Sequence, residues 1–144
     1  MDYLIKNAKV IDGTGAPAYT ADVAVTGDTI TQIGSINEPC ANTIDAAGRV
    51  LMPGIIDPHS HADAGIFNSD WSHQRITQGI TTEITGHCGP SPAPNCPENM
   101  ELLRRIYFDL TNTGVPFEWP FHDFKGWLDT VRAQKLSANY GFFV

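Results

Sequence analysis

Two histidines separated by one residue, His59 and His61, close the segment Pro53-Gly54-Ile55-Ile56-Asp57-Pro58-His59-Ser60-His61. Side chains alternate along an extended chain, so both imidazoles are expected on one face and close together. Two neutral imidazoles converging on one point make half of a transition-metal site, for which zinc is the first expectation. The plainer alternative is a pair of surface or turn histidines. A sulfur donor follows in Gly86-His87-Cys88-Gly89, just after the β-branched run Ile80-Thr81-Thr82-Glu83-Ile84-Thr85. A thiolate is a strong, soft ligand for such ions and loses its proton on binding. The plainer reading of Cys88 is a buried free thiol. Asp57 shares the parity of the histidines and is a candidate hydrogen-bond partner for one of them; a structural role at a strand end is the alternative. His87 would face away from Cys88 if the strand continued, which suits packing or support of the site better than ligation.

The other residues of these types have less to offer. Cys40 lies in the polar loop Glu38-Pro39-Cys40-Ala41-Asn42 and Cys96 in Pro94-Asn95-Cys96-Pro97, and both read as incidental. An odd set of three cysteines is a poor disulfide framework. His73 on a short helix and His122 before another default to surface or capping positions. Phe108, Phe117, Trp119, Phe121 and Trp127 read as cover for a sheet, with a lid over a substrate as the second reading of stretch 114–121.

The elements that must position these groups fall into two parts. Residues 1–52 read as a small β-domain. Tyr3 to Ile11 is rich in strand formers and ends in Asp12-Gly13-Thr14-Gly15; Ala21 to Val25 and the alternating Thr29 to Gly34 follow, and Ile44 to Met52 reads as a short pair around a turn. A small sandwich or partial barrel is expected, too small to be very stable by itself. From residue 53 to 144 the pattern becomes strand, helix, strand, helix, helix, strand: Ile55 to Asp57, Trp71 to Gln78, Ile80 to Thr85, Glu98 to Leu110, Phe124 to Lys135 and the final Ala138 to Val144. That order opens a parallel α/β arrangement with functional groups at the C-terminal ends of its strands. The residues after Met52 are well under half of the roughly 250 that an eight-unit barrel takes. The expectation is therefore an α/β chain: a small β-sandwich followed by the first units of an incomplete TIM-like barrel, with an open sheet edge through which copies could associate.

Composition narrows the function classes. The chain of 144 residues is 42% hydrophobic and 17% charged, with a net charge of −7. No basic cluster exceeds Arg104-Arg105, which argues against a nucleic-acid surface or an electrostatic membrane anchor. No apolar run approaches the roughly 18 residues that span a bilayer. The N-terminus lacks the apolar core and cleavage site of a signal peptide, so a cytoplasmic location is expected.

The pattern resembles the amidohydrolase superfamily and, within it, the N-acyl-D-amino-acid deacylase (D-aminoacylase) family. Asp2 to Gly15 resembles that family's first strand and turn. Pro53 to His61 matches its Pro-Gly-hydrophobic-hydrophobic-Asp-x-His-x-His signature, and Gln78-Gly79-Ile80-Thr81-Thr82 with Gly86-His87-Cys88-Gly89 resembles its two following segments. The resemblance implies that His59 and His61 bind one metal ion and that Cys88 is a thiolate shared between metal positions, with one or two zinc ions in a complete site. Asp63 stands at an acidic position following the second histidine, Ala62 replaces an adjacent Asp, and His87 stands where Asn is commoner. Asp57, Asp63 and His87 are thus candidates for supporting the ligands or touching substrate. The family's remaining histidines and its general-base aspartate would lie beyond Val144, so no catalytic residue is assigned here. The implied reaction is hydrolysis of the amide of an N-acyl-D-amino acid, with the isolated segment expected to be inactive. The alternatives are a cyclic-amide hydrolase of the dihydroorotase or hydantoinase type, and a truncated non-catalytic homologue.

Overall fold

The computed structural model describes residues 1–144 except Ala64, Asn68, Pro90 and 112–118, and leaves undescribed the side chains of 69–72 and 107–111. Phe117 and most of the stretch considered above as a lid lie outside the described residues, as does the Phe108 side chain. The chain divides into two compact units, Met1–Pro53 and Gly54–Val144.

The first unit is a single five-stranded mixed sheet. Strands β1 (Tyr3–Val10), β2 (Tyr19–Thr26) and β3 (Thr29–Gly34) run antiparallel in sequence, while β4 (Thr43–Asp45) and β5 (Val50–Leu51) both pair parallel with β1. A sandwich's second layer is not supplied by residues 1–53. Nor do β4 and β5 pair with each other as a turn would suggest. The tight loop between them bonds back to β1 instead, through the N–H groups of Ala46 and Gly48 to the carbonyls of Lys6 and Asn7.

Those contacts fall at a bulge in β1, where its register against β2 shifts between Ile5 and Ala8. Asn7 adopts φ +56°, a left-handed conformation that asparagine tolerates better than most residues. The bulge flips the side-chain parity of β1. Ala8 and Val10 consequently join Ala21 and Val23 in one core, while Leu4 packs with Ala24 and Ile36 in another. Asp22 pins the irregularity, accepting the Asn7 N–H at 2.9 Å and the Ile36 N–H at 3.2 Å, with Lys6 Nζ 3.7 Å away. These two N–H groups, more than the lysine, hold its carboxyl below the usual carboxylate range.

In the second unit three parallel strands stand in the order β6 (Ile55–Asp57), β7 (Ile80–Thr85), β8 (Asn139–Phe142). A short 3-10 turn (Gly65–Phe67) and helix α1 (Ser69–Ile76) connect the first pair; α2 (Pro97–Thr111) and α3 (Phe124–Arg132) connect the second. Three strands do not close a barrel. Pro97 opens α2 where a missing N–H costs nothing, followed by Glu98 in the first turn. Asp123 caps α3, its carboxylate accepting the Gly126 N–H at 2.7 Å. The Trp127 and Val131 side chains of α3 are buried with Ala62, Ile66, Ala93, Trp119 and Phe121 against Tyr140 and Phe142. The Trp127 and Phe142 rings meet edge-on, with centroids 4.4 Å apart. Trp119, Phe121 and Trp127 therefore cover the sheet as expected.

Register fixes which residues share that covered face. Glu83 pairs with Tyr140 and Thr85 with Phe142, so all four point toward the helices. On the opposite face Ile56 is 62% exposed. Two glycines permit close approaches: a Cβ on Gly54 would fall 2.0 Å from the Thr81 hydroxyl, and one on Gly86 (φ +83°) would fall 2.4 Å from the Phe143 carbonyl.

Two outcomes follow. Trp127→Ala should cost about 3–5 kcal/mol in chemical denaturation, as for a large buried aromatic. Trp127→Phe should cost well under that, because it keeps a ring and removes an indole N–H that has no partner in the structure. For Asp22, a depressed carboxyl contributes stability that is present above the ordinary carboxylate pKa of about 3.9 and lost as pH falls through its own lower value. Asp22→Asn should accordingly lower the melting temperature at neutral pH, with the gap to wild type closing in acid.

Candidate metal centre

The end of β6 and the end of β7 build the site together. Asp57 pairs with Glu83 across the two strands, and the Ser60 N–H donates to the Ile84 carbonyl at 2.9 Å, carrying the pairing past the end of β6. The histidines lie on this continuation, beyond the regular strand. Asp57 Oδ1 accepts the His59 backbone N–H at 3.1 Å, closing a local turn. The turn does not separate the rings: His59 and His61 sit edge-to-face with centroids 5.6 Å apart.

Cys88 arrives from β7. The chain leaves that strand at Gly86 and turns through Cys88 itself, at φ +62°. A side-chain-bearing residue in the left-handed region holds strain that its surroundings must enforce, and such residues cluster at functional sites. The result places Cys88 Sγ 3.3 Å from His59 Nε2. One donor atom from each of His59, His61 and Cys88 lies within 4.8 Å of the other two. His59 and Cys88 are exposed and His61 is half-buried, so one side of the cluster opens to solvent.

The cluster suits a tetrahedral cation. With bonds of about 2.0–2.3 Å, neighbouring ligands of such an ion stand roughly 3.3–3.8 Å apart, so the sulfur and the His59 nitrogen already have that spacing. His61 Nδ1 is buried without a hydrogen-bond partner. An unpaired imidazole nitrogen away from water is costly, and a soft sulfur with two imidazoles is a donor set that zinc prefers. Three donors leave a fourth position for water or substrate, the pattern of catalytic rather than structural zinc.

The three supporting candidates take different places. Asp57 holds the backbone of His59, and its other oxygen receives Arg75 Nη1 at 3.3 Å. Asp63 is 2% exposed. Burial pushes its carboxyl above the usual range, against the opposing pull of the Asp63 and Gly86 N–H groups, the Thr85 hydroxyl and the charge of His61. His87 does not face away: the turn at Gly86 brings its ring flat against His59, centroids 4.1 Å apart and 16° from parallel, with Phe143 edge-on at 5.0 Å. Cys40 and Cys96 are free and outside the cluster. His122 bonds Asn95 at 2.9 Å, and Asn95 in turn ties the loop after Cys88 to the Phe121 carbonyl.

Sequence reasoning overlooked Ser60, Arg75 and Glu83, which pass beneath the site. Glu83 is fully buried in β7, its Oε2 accepting the Ser60 hydroxyl at 2.5 Å with Arg75 Nε at 3.9 Å. The available signal was a lone acid inside the β-branched run Ile80-Thr81-Thr82-Glu83-Ile84-Thr85, four residues into a strand expected to be buried.

Comparison with known proteins agrees with this geometry. Residues 42–119 match the amidohydrolase family model. A D-aminoacylase of Alcaligenes xylosoxydans xylosoxydans is 35% identical over 96% of this chain, which spans 28% of that protein's length. The crystal structure of N-acyl-D-glutamate deacylase from Bordetella bronchiseptica, complexed with zinc and a phosphonate mimic of the tetrahedral intermediate, superposes with a TM-score of 0.80. It is 32% identical over 99% of this chain and 29% of its own. A D-hydantoinase of Ralstonia pickettii is 37% identical, but over only 62% of this chain and 18% of its own. With a family model spanning both site-bearing strands, and deacylase relatives aligned along nearly its whole length, the chain belongs to the amidohydrolase family and corresponds to the N-terminal part of its N-acyl-D-amino-acid deacylase branch.

Proposed function

We propose that His59, His61 and Cys88 hold a zinc ion, and that the enzyme to which this chain corresponds hydrolyses the amide bond of an N-acyl-D-amino acid. The convergence of one sulfur and two imidazoles within 4.8 Å carries the reading. A bound zinc ion supplies Lewis acidity toward an amide carbonyl and toward water. The residues of this chain have narrower tasks. His59 and His61 offer neutral nitrogen donors, and Cys88 offers a thiolate on a rigid turn. His87 restricts the His59 ring by stacking on it. The Asp63 carboxyl is buried two residues beyond His61, next to the segment that carries both imidazoles.

The cyclic-amide alternative is less well supported. Deacylase similarity runs along nearly the whole chain, whereas the hydantoinase match stops at 62% of it. General acid–base catalysis toward the leaving amine needs a proton carrier within hydrogen-bond reach of the scissile bond. No carboxylate among the described residues stands in the donor cluster to fill that role.

Two measurements test the reading. After dialysis, the purified chain should retain zinc detectable by elemental analysis, and Cys88→Ala should weaken zinc binding by at least about 100-fold, since it deletes the softest donor. Retention of wild-type affinity in that variant would remove Cys88 from the site. The 144-residue chain, loaded with zinc and offered N-acetyl-D-amino acids, should show negligible turnover. Robust metal-dependent hydrolysis would mean that it carries its own proton carrier.

A further inference from the structure

A polar relay joins the His59-Ser60-His61 segment to β7 and α1. Ser60 sits between the two histidines, and its hydroxyl donates to Glu83 Oε2 at 2.5 Å while accepting the Ala62 N–H at 3.2 Å. Arg75 of α1 bridges Glu83 to Asp57, and Asp57 holds the His59 N–H. The relay therefore grips the His59-Ser60-His61 segment at both ends, at the N–H of its first residue and at the N–H just after its last.

Its anchor is on the other donor's strand. Glu83 stands in β7, which leads directly into Gly86 and Cys88, and it is fully buried with Oε1 unpartnered. It points into the helix-covered face with Tyr140 and Phe142, where an aliphatic residue would pack without any desolvation cost. A buried acid joined to one guanidinium is weak as a source of stability, and an apolar replacement of similar volume is often neutral or stabilising. What it does provide is a rigid link between the segment carrying both imidazoles and the strand carrying the sulfur.

We infer that the Arg75–Glu83–Ser60 relay, together with Asp57, is a positioning device that sets the spacing of His59 and His61 from Cys88 and so tunes metal affinity. This rests on the metal-centre reading given above. None of the relay's atoms is among the donor atoms, so it acts through the ligands. Outer partners of metal ligands typically change affinity by about 10–100-fold when removed.

Cobalt(II) titration of the full chain tests this, because thiolate-to-cobalt charge transfer and the ligand-field bands report on donor identity and geometry separately. Wild type should show the thiolate band and Cys88→Ala should lack it. Ser60→Ala and Arg75→Met should bind cobalt about 10–100-fold more weakly, with shifted ligand-field bands and the thiolate band retained. Arg75→Lys should recover part of the loss. Circular dichroism on the same samples separates positioning from folding, and Ser60→Ala removes only one oxygen if a charge-altering variant fails to fold. Unchanged affinity and spectra in Ser60→Ala and Arg75→Met would overturn the relay while leaving the metal centre standing, as would a loss that merely tracks the unfolded fraction. A wild type indistinguishable from Cys88→Ala would bring down the metal-centre reading and the relay with it.

Discussion

Parallel pairing of β6 with β7 is the constraint on which the site depends. Its donors are 29 residues apart in sequence for the His59–Cys88 pair, and no local preference brings them together. In a parallel pair both strands end at the same edge, so whatever follows each strand meets there. The bond from the Ser60 N–H to the Ile84 carbonyl extends the ladder to the middle of the His-x-His segment. Beyond that point each chain departs in its own way. One closes a turn on Asp57, and the other swings through Gly86 into a left-handed cysteine. A slip of the pairing by one residue would exchange the two faces of a strand, turning Glu83 and Thr85 away from the helices and breaking the serine contact.

The two faces of this sheet divide the labour. The helix-covered face supplies cohesion through Trp127, Phe121 and Phe142, and it also carries the buried acid and the edge of the Arg75 network. The chemistry is displayed at the rim, where His59 and Cys88 reach solvent. Apolar packing makes the platform stiff, and polar contacts decide where on that platform the donors stand. The first unit follows a related logic on a smaller scale. There a single carboxylate, Asp22, accepts the N–H of Asn7 at the bulge of β1 and the N–H of Ile36 in the segment after β3.

Much of this was legible in the residues. The strand formers of β1, the alternation of β3, the β-branched run of β7 and the apolar stripe of α3 all became the elements they announced, because each signal is local. His59, His61 and Cys88 were legible as chemistry, since few other reasons bring those residue types to the end of a strand. What stayed hidden was pairing and direction. Nothing in Thr43 to Leu51 says that two short strands will lie alongside β1 instead of each other, because their partner strand is distant in sequence. Parity places His87 on the far side only while the strand continues; Gly86 ends it, and the ring instead packs on His59 without joining the donors. Ser60, Arg75 and Glu83 lie far apart in sequence on a loop, a helix and a strand, and no spacing connects them. Only the register that stacks Asp57 beside Glu83 makes them one network.

The backbone conformation of Cys88 also bears on which elements this position could come to prefer. At φ +62° the residues that fit most readily are glycine, asparagine and aspartate, whereas β-branched side chains are disfavoured. A drift from sulfur to an acidic oxygen would therefore leave the loop in place while replacing a soft donor with a hard one. Carboxylate donors suit manganese or magnesium better than thiolates do. One substitution there would change the hardness of a single donor without changing the turn that presents it, and two imidazoles with a carboxylate would still form a set able to hold zinc.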